Sequence, residues 1–185
     1  AWGIQVGDAE ENVGMFASIA VDTEEVVYIS YYDVVNGALK FAVGKEGQWH
    51  LETIDAEGGD VGQYNSMAVD SQGRPHISYY DATVRHLKYA TFNSSNWDIE
   101  TVDSTGELGQ WTSITLDTND HPHISYHDRF YNDLKYATFN GSTWDIETVD
   151  STGVYGNTSI ALDANDNPHI SYHDSTNNGD LKYAA

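Results

Sequence analysis

The sequence predicts an all-β protein, a β-propeller built from four four-stranded blade repeats of about 47 residues, and three observations predict it. One line of sequence recurs as PHISYYD from Pro75, PHISYHD from Pro122, PHISYHD from Pro168 and, in degenerate form, VYISYYD from Val27. Its shared isoleucines, Ile29, Ile77, Ile124 and Ile170, stand 48, 47 and 46 residues apart. A Leu-Lys pair at Leu39, Leu87, Leu134 and Leu181 and a tryptophan at Trp2, Trp49, Trp97 and Trp144 keep the same period.

Each repeat, taken as residues 2–48, 49–96, 97–143 and 144–185, holds four strand-sized segments punctuated by Gly, Asn, Asp and Pro. In the third they are WDIETVD (Trp97 to Asp103), TSITLD (Thr112 to Asp117), PHISYHD (Pro122 to Asp128) and LKYATF (Leu134 to Phe139). None sustains a 3.6-residue apolar period, and β-branched and aromatic residues are frequent, so helix is disfavoured. Ser159 to Leu162 is small or apolar at successive positions, the pattern of a strand buried on both faces, and is assigned to the innermost strand. The Trp-led segment is then the outermost strand, its tryptophan packing at the rim.

Eight basic against 29 acidic residues leave a formal charge of −21, which repels phosphate backbones and anionic membranes and disfavours nucleic acid as a partner. No apolar run is long enough for a transmembrane helix, so membrane insertion is not expected. The absence of cysteine excludes disulfides and thiolate metal sites. A start at Ala1 suits a mature exported chain, and the expected location is extracellular or at the cell surface.

The unit SIALDANDNPHISYHDSTNNGDLKYA, from Ser159 to Ala184, resembles the repeats of bacterial and archaeal propeller proteins related to the Asp-box and sialidase-like group. The Asp-box pattern S-x-D-x-G-x-T-W is echoed by TFNGSTW, Thr138 to Trp144, one residue short and with Asn for Asp. The resemblance implies the fold and not the enzymatic activity. A sialidase-like hydrolase would also need clustered arginines, and the chain has only Arg74, Arg85 and Arg129.

The chain begins with an outermost strand, Trp2 to Asp8, and ends with a third strand, Leu181 to Ala185. By the repeat these two should pair, within one chain, between two chains forming an eight-bladed ring, or head to tail in a filament. Trp2, Ile4, Val6, Leu181 and Tyr183 are the residues expected to carry this assembly. The leading functional expectation is a non-catalytic, self-assembling extracellular scaffold or surface interaction module. The alternative is a carbohydrate-binding, lectin-like module, with a glycoside hydrolase as the less favoured reading.

For the lectin reading, Phe16, Tyr64 and Trp111 stand at matching positions before the inner strand, with Tyr155 two residues ahead of the slot in the last repeat. Aromatic rings there would stack on a sugar while neighbouring polar groups read its hydroxyls, unless they only fill gaps between blades. Two aspartate families end strands on one face: Asp8, Asp55, Asp103 and Asp150, and Asp33, Asp81, Asp128 and Asp174. They offer oxygens to Ca²⁺, and capping of turns is the competing role. No cofactor is required by any of these readings. The histidines of HxSxH, such as His123 and His127, share a strand face but lie about 13 Å apart, too far to chelate one ion. They are expected to pack, hydrogen-bonded between blades.

Overall fold

The structure, a computed structural model, describes residues 6–175 and 179–185, and all the regular structure among them is antiparallel β. The first sheet comprises β1 (Val13–Val21), β2 (Val27–Asp33), β3 (Ala38–Lys45) and β4 (Gln48–Asp55). The second is β5 (Val61–Val69), β6 (Pro75–Asp81), β7 (His86–Phe92) and β8 (Trp97–Asp103), and the third β9 (Leu108–Leu116), β10 (Pro122–Asp128), β11 (Asp133–Phe139) and β12 (Trp144–Asp150). The fourth has three strands, β13 (Val154–Leu162), β14 (Pro168–Asp174) and β15 (Asp180–Ala184). Every sheet is a meander in chain order, so each Trp-led strand completes the sheet of the three strands before it.

The turn between the first two strands of each sheet is built by an aspartate whose Oδ1 accepts two backbone amides. Asp22 takes those of Glu24 and Val26, Asp70 those of Gln72 and Arg74, Asp117 those of Asn119 and His121, and Asp163 those of Asn165 and Asn167. These four aspartates are turn residues, as their spacing suggests.

The sheets stack face to face through their first strands, β1 on β5, β5 on β9 and β9 on β13. Stacking buries both faces of the interior sheets, so every residue of β6 and β10 is buried. Ile77, Leu87, Ile124, Leu134, Tyr79 and Tyr126 are the large side chains of this core. At the rim, Trp97 meets Phe41 of the preceding sheet edge-on at 5.1 Å, and its Nε1 donates to Glu52 at 2.9 Å. Trp144 repeats both contacts with Tyr89 and Glu100.

The fourth sheet does not close onto the first among the described residues, so the in-chain ring is not formed there. Nothing described pairs with the free edge of β15. Trp2 and Ile4, two of the residues expected to make that pairing, lie outside the described residues, while Val6, Leu181 and Tyr183 are exposed.

Candidate functional site

Each inner strand of the first three sheets is bulged near its start, with register shifts against its neighbour between Met15 and Ser18, between Gln63 and Ser66, and opposite Ser125 and His127. At the bulge sits an aromatic residue in the left-handed region: Phe16 at φ 54°, Tyr64 at 53° and Trp111 at 50°. A bulky side chain there costs on the order of 1 kcal/mol, which the surroundings must offset.

Hydrogen bonds from the next sheet hold the bulges at Tyr64 and Trp111. Thr112 Oγ1 donates to the Tyr64 carbonyl at 3.1 Å, and Thr158 Oγ1 donates to the Trp111 carbonyl at 3.1 Å. The same threonine hydroxyls lie 2.7 and 2.8 Å from Ser78 and Ser125, the serines of the HxS motif, while Ser30 meets Asn65 at 2.5 Å. The repeated serine is thus a buried pin between one sheet and the bulge of the next.

The pinned aromatics form one arc around the axis. Phe16 and Tyr64 have ring centroids 4.6 Å apart, and Tyr64 and Trp111 4.8 Å apart, all tilted and half-buried. The arc borders a shallow depression of about 260 Å³, shared with Ala17, Asn65, Thr112, Asn157 and Thr158. Asn157 fills the fourth slot, and the side chain of Tyr155 lies outside the described residues.

A polar rim adjoins the arc. Tyr32 donates to Asp60 at 2.6 Å, as does Gln63 at 2.8 Å, and burial followed by that carboxylate pushes the Tyr32 hydroxyl up to about 12. One junction further, the Tyr80 ring lies 6.3 Å from Tyr64, and Glu107 lies 3.9 Å from Arg85 and 3.3 Å from Arg129. Beside them Phe130 and Tyr131 are exposed and meet edge-on at 4.7 Å. Two of the three arginines of a strongly acidic chain therefore converge on one spot beside exposed aromatics. Asp60 and Glu107 read in the sequence as part of an acidic face, whereas Gln63 escaped it, because its role depends on the Asp60 carboxylate it shares with Tyr32 of the neighbouring sheet.

The two aspartate families do meet at one end of the sheets, but lysines occupy them. Lys88 Nζ lies 2.5 Å from Asp55 and 3.8 Å from Asp81, and Tyr79 donates to Asp55 at 2.7 Å. Lys135 and Tyr126 hold Asp103 in the same way at 2.5 and 2.7 Å. Lys182 lies 3.0 Å from Asp150 and 2.5 Å from Asp174, and Lys40 lies 3.0 Å from Asp8. Burial would raise Asp103, but bonds from Lys135, Thr105 and Tyr126 outweigh it and hold the carboxyl below its ordinary value. Asp33, Asp81 and Asp128 also cap the turn that follows, each accepting two backbone amides. Among the described residues no three His, Asp or Glu side chains converge as a metal site.

The histidines split into two roles. His127 Nε2 bonds the Val154 carbonyl of the next sheet at 3.0 Å, as expected between blades. His76 instead bonds Tyr89 within its own sheet at 2.5 Å, and His123 and His169 pair likewise with Tyr136 and Tyr183. The reason is register: His123 faces Thr138 across the ladder, two residues from Tyr136.

No protein-family model matches the chain, and no curated protein does. Solved structures of propeller fold do. An exo-β-1,3-galactanase from Phanerochaete chrysosporium aligns at 9% identity and TM-score 0.61, over 92% of this chain and 47% of that one. A Hadza microbial sialidase aligns at 10% identity and TM-score 0.63, over 92% and 44%. The Aleuria aurantia lectin, in complex with a fucosylated GlcNAc, aligns at 14% identity and TM-score 0.56, over 91% and 63%. The chain spans 44 to 63% of the length of these three structures, and the likeness is one of fold.

Proposed function

We propose that the chain is a non-catalytic carbohydrate-binding module that takes a sugar ring against the axial arc, with Tyr64 and Trp111 as platform. The observation that carries this reading is the arc itself: three bulky aromatics kept in left-handed backbone at 50° to 54° and bracing one another beside polar side chains. Strain repeated at one surface, and held at Tyr64 and Trp111 by hydrogen bonds from the next sheet, points to a functional position. Aromatic faces suit the C–H surface of a sugar, while Asn157 and the Arg85, Glu107 and Arg129 rim supply donors and acceptors for hydroxyls. A depression of about 260 Å³ suits one sugar ring rather than a long chain.

The propeller fold is shared with a fucoside-binding lectin as well as with glycosidases, so it accommodates this role. Against catalysis stands the engagement of the strand-end carboxylates by lysines, tyrosines and turn amides. No cation is needed, since stacking and hydroxyl contacts both come from side chains. A location outside the cell or on its surface goes with the reading.

A glycan array followed by titration calorimetry tests it. Binding that weakens about tenfold or more in Trp111→Ala, with the far-ultraviolet dichroism unchanged, is the expected result. Absence of any bound glycan, or an affinity indifferent to Trp111, overturns it.

A further inference from the structure

Among the described residues the two terminal sheets each leave one face uncovered, and the two faces are halves of a junction that the chain builds three times internally. In those interior junctions the first residue of an inner strand donates its amide to a left-handed turn residue of the preceding sheet: Val61 to Gly37 at 3.0 Å, Leu108 to Arg85 at 3.0 Å, and Val154 to Asn132 at 2.8 Å. The amides of Met67, Ile114 and Ile160 reach Ser18, Ser66 and Ser113 at 3.0, 3.2 and 3.2 Å. A leucine of the third strand is sealed against the next inner strand, so close that a Cβ on Gly62 or Gly109 would lie 2.7 or 2.8 Å from Leu39 or Leu87 Cα.

At the ends the same parts stand unmatched. Leu39, Leu87 and Leu134 are 0% exposed, but Leu181 is 85% exposed and Tyr183 63%. Met67, Ile114 and Ile160 are 6 to 8% exposed, but Ile19, their equivalent on β1, is 64% exposed. A Cβ on Gly14, which corresponds to Gly62 and Gly109, would meet nothing within 4 Å. The fourth sheet ends in Gly179, Leu181 and Ser159 as the interior sheets end in their counterparts, and the first sheet opens with Val13, Gly14 and Ile19.

The segment before the first sheet is poised likewise. Asp8 accepts from Tyr31 at 2.7 Å beside Lys40, as Asp55 at the end of β4 accepts from Tyr79 beside Lys88. Asp8 therefore stands against the first sheet where Asp55 stands against the second, and among the described residues the fourth sheet has three strands.

We propose that a second copy of this chain supplies the cover: the open face of its first sheet docks on the open face of the fourth, head to tail. Leu181 then seals over Gly14, the Val13 amide meets the Gly179 carbonyl, and the Ile19 amide meets Ser159. Ala17 stands where Asn65, Thr112 and Thr158 stand, so Ser171 gains no counterpart of the interior serine bonds. The junction between copies is accordingly weaker than those within the chain.

Light scattering on the 185-residue chain over a concentration series tests the proposal. Two or more copies per particle are expected at high concentration, and Leu181→Glu or Ile19→Glu should each raise the dissociation constant about tenfold or more, with unchanged dichroism. Because the contact is head to tail, mixing the two variants leaves one intact junction and should give a pair and nothing larger. A monomer at all concentrations, as when the natural cover is another protein or further repeats, overturns the proposal. So does an oligomer that neither substitution affects, or a mixture of variants that stays monomeric. Sugar binding through Trp111 is read separately on the same variants, so neither result decides the other.

Discussion

Lys88 in β7 and Asp55 at the end of β4 meet 2.5 Å apart across the junction of the first two sheets, with the hydroxyl of Tyr79 on the same carboxylate oxygen at 2.7 Å. This contact explains the Leu-Lys repeat. The leucine seals one junction while the lysine beside it, pointing to the opposite face of the strand, neutralises the outer strand of the sheet before it.

The buried pair of Lys135 with Asp103 gives the first prediction. Lys135→Met leaves a buried carboxylate facing only hydroxyls and a turn amide, and should destabilise the fold by about 3 kcal/mol. The double variant Lys135→Met, Asp103→Asn should recover part of that loss, since the charge left behind is what costs most. Urea denaturation of the three variants measures both effects; equal stability of the single and double variants would contradict this account.

Stability should fall in two steps as pH drops. Burial holds His76, His123 and His127 below their ordinary value of 6.5, so the unfolded chain binds protons first. Their contribution is complete above that value and is lost as pH falls towards the depressed folded values. Asp103 and Asp150 lie below the ordinary 3.8, their hydrogen bonds outweighing burial, and their contribution disappears only in stronger acid. Melting temperature recorded against pH should therefore decline below about 6.5 and again below about 4. A rise between neutrality and pH 5 would show the histidines charged in the folded state.

Glycines at equivalent positions should differ in cost. Gly109→Ala carries both a left-handed φ of 95° and a clash with the backbone of Leu87, whereas Gly14→Ala carries the same φ of 95° in open space. The first should cost about 2 kcal/mol more than the second in the isolated chain. Thermal melts of both, under conditions that keep the chain monomeric, decide it.

Thr112 positions the arc without belonging to the aromatic platform. Thr112→Val keeps the shape but removes the bond to the Tyr64 carbonyl, leaving that carbonyl and Ser78 without this partner. Stability should drop by about 1 kcal/mol, and sugar affinity should fall although Tyr64 and Trp111 are intact. Thr112→Ser, which keeps the hydroxyl, should restore the affinity. Failure of that rescue would place the effect in packing alone.

By itself the sequence determined the period, the four-segment repeat, the order of strands within a sheet, and the identity of inner and outer strands. Those features depend on alternation along the chain and on turn residues such as Asp70, Asp117 and Asp163, whose partners lie within four residues. Tertiary structure alone decided what the repeated side chains do. The strand-end aspartates read as turn caps in preference to oxygen ligands, and only stacking shows that Lys88 reaches Asp55 from 33 residues away. Phe16, Tyr64 and Trp111 stood at matching positions, but their merging into one arc depends on bulges held by Thr112 and Thr158, 48 and 47 residues from the carbonyls they bind. Leu181 is indistinguishable from Leu39 in the repeat, yet Leu39 is buried against the second sheet and Leu181 is exposed, with no sheet against it among the described residues. Local patterns specify a strand because its hydrogen bonds and turns are short-range; the neighbour that covers its face is set by packing between sheets, which a period can suggest but not place.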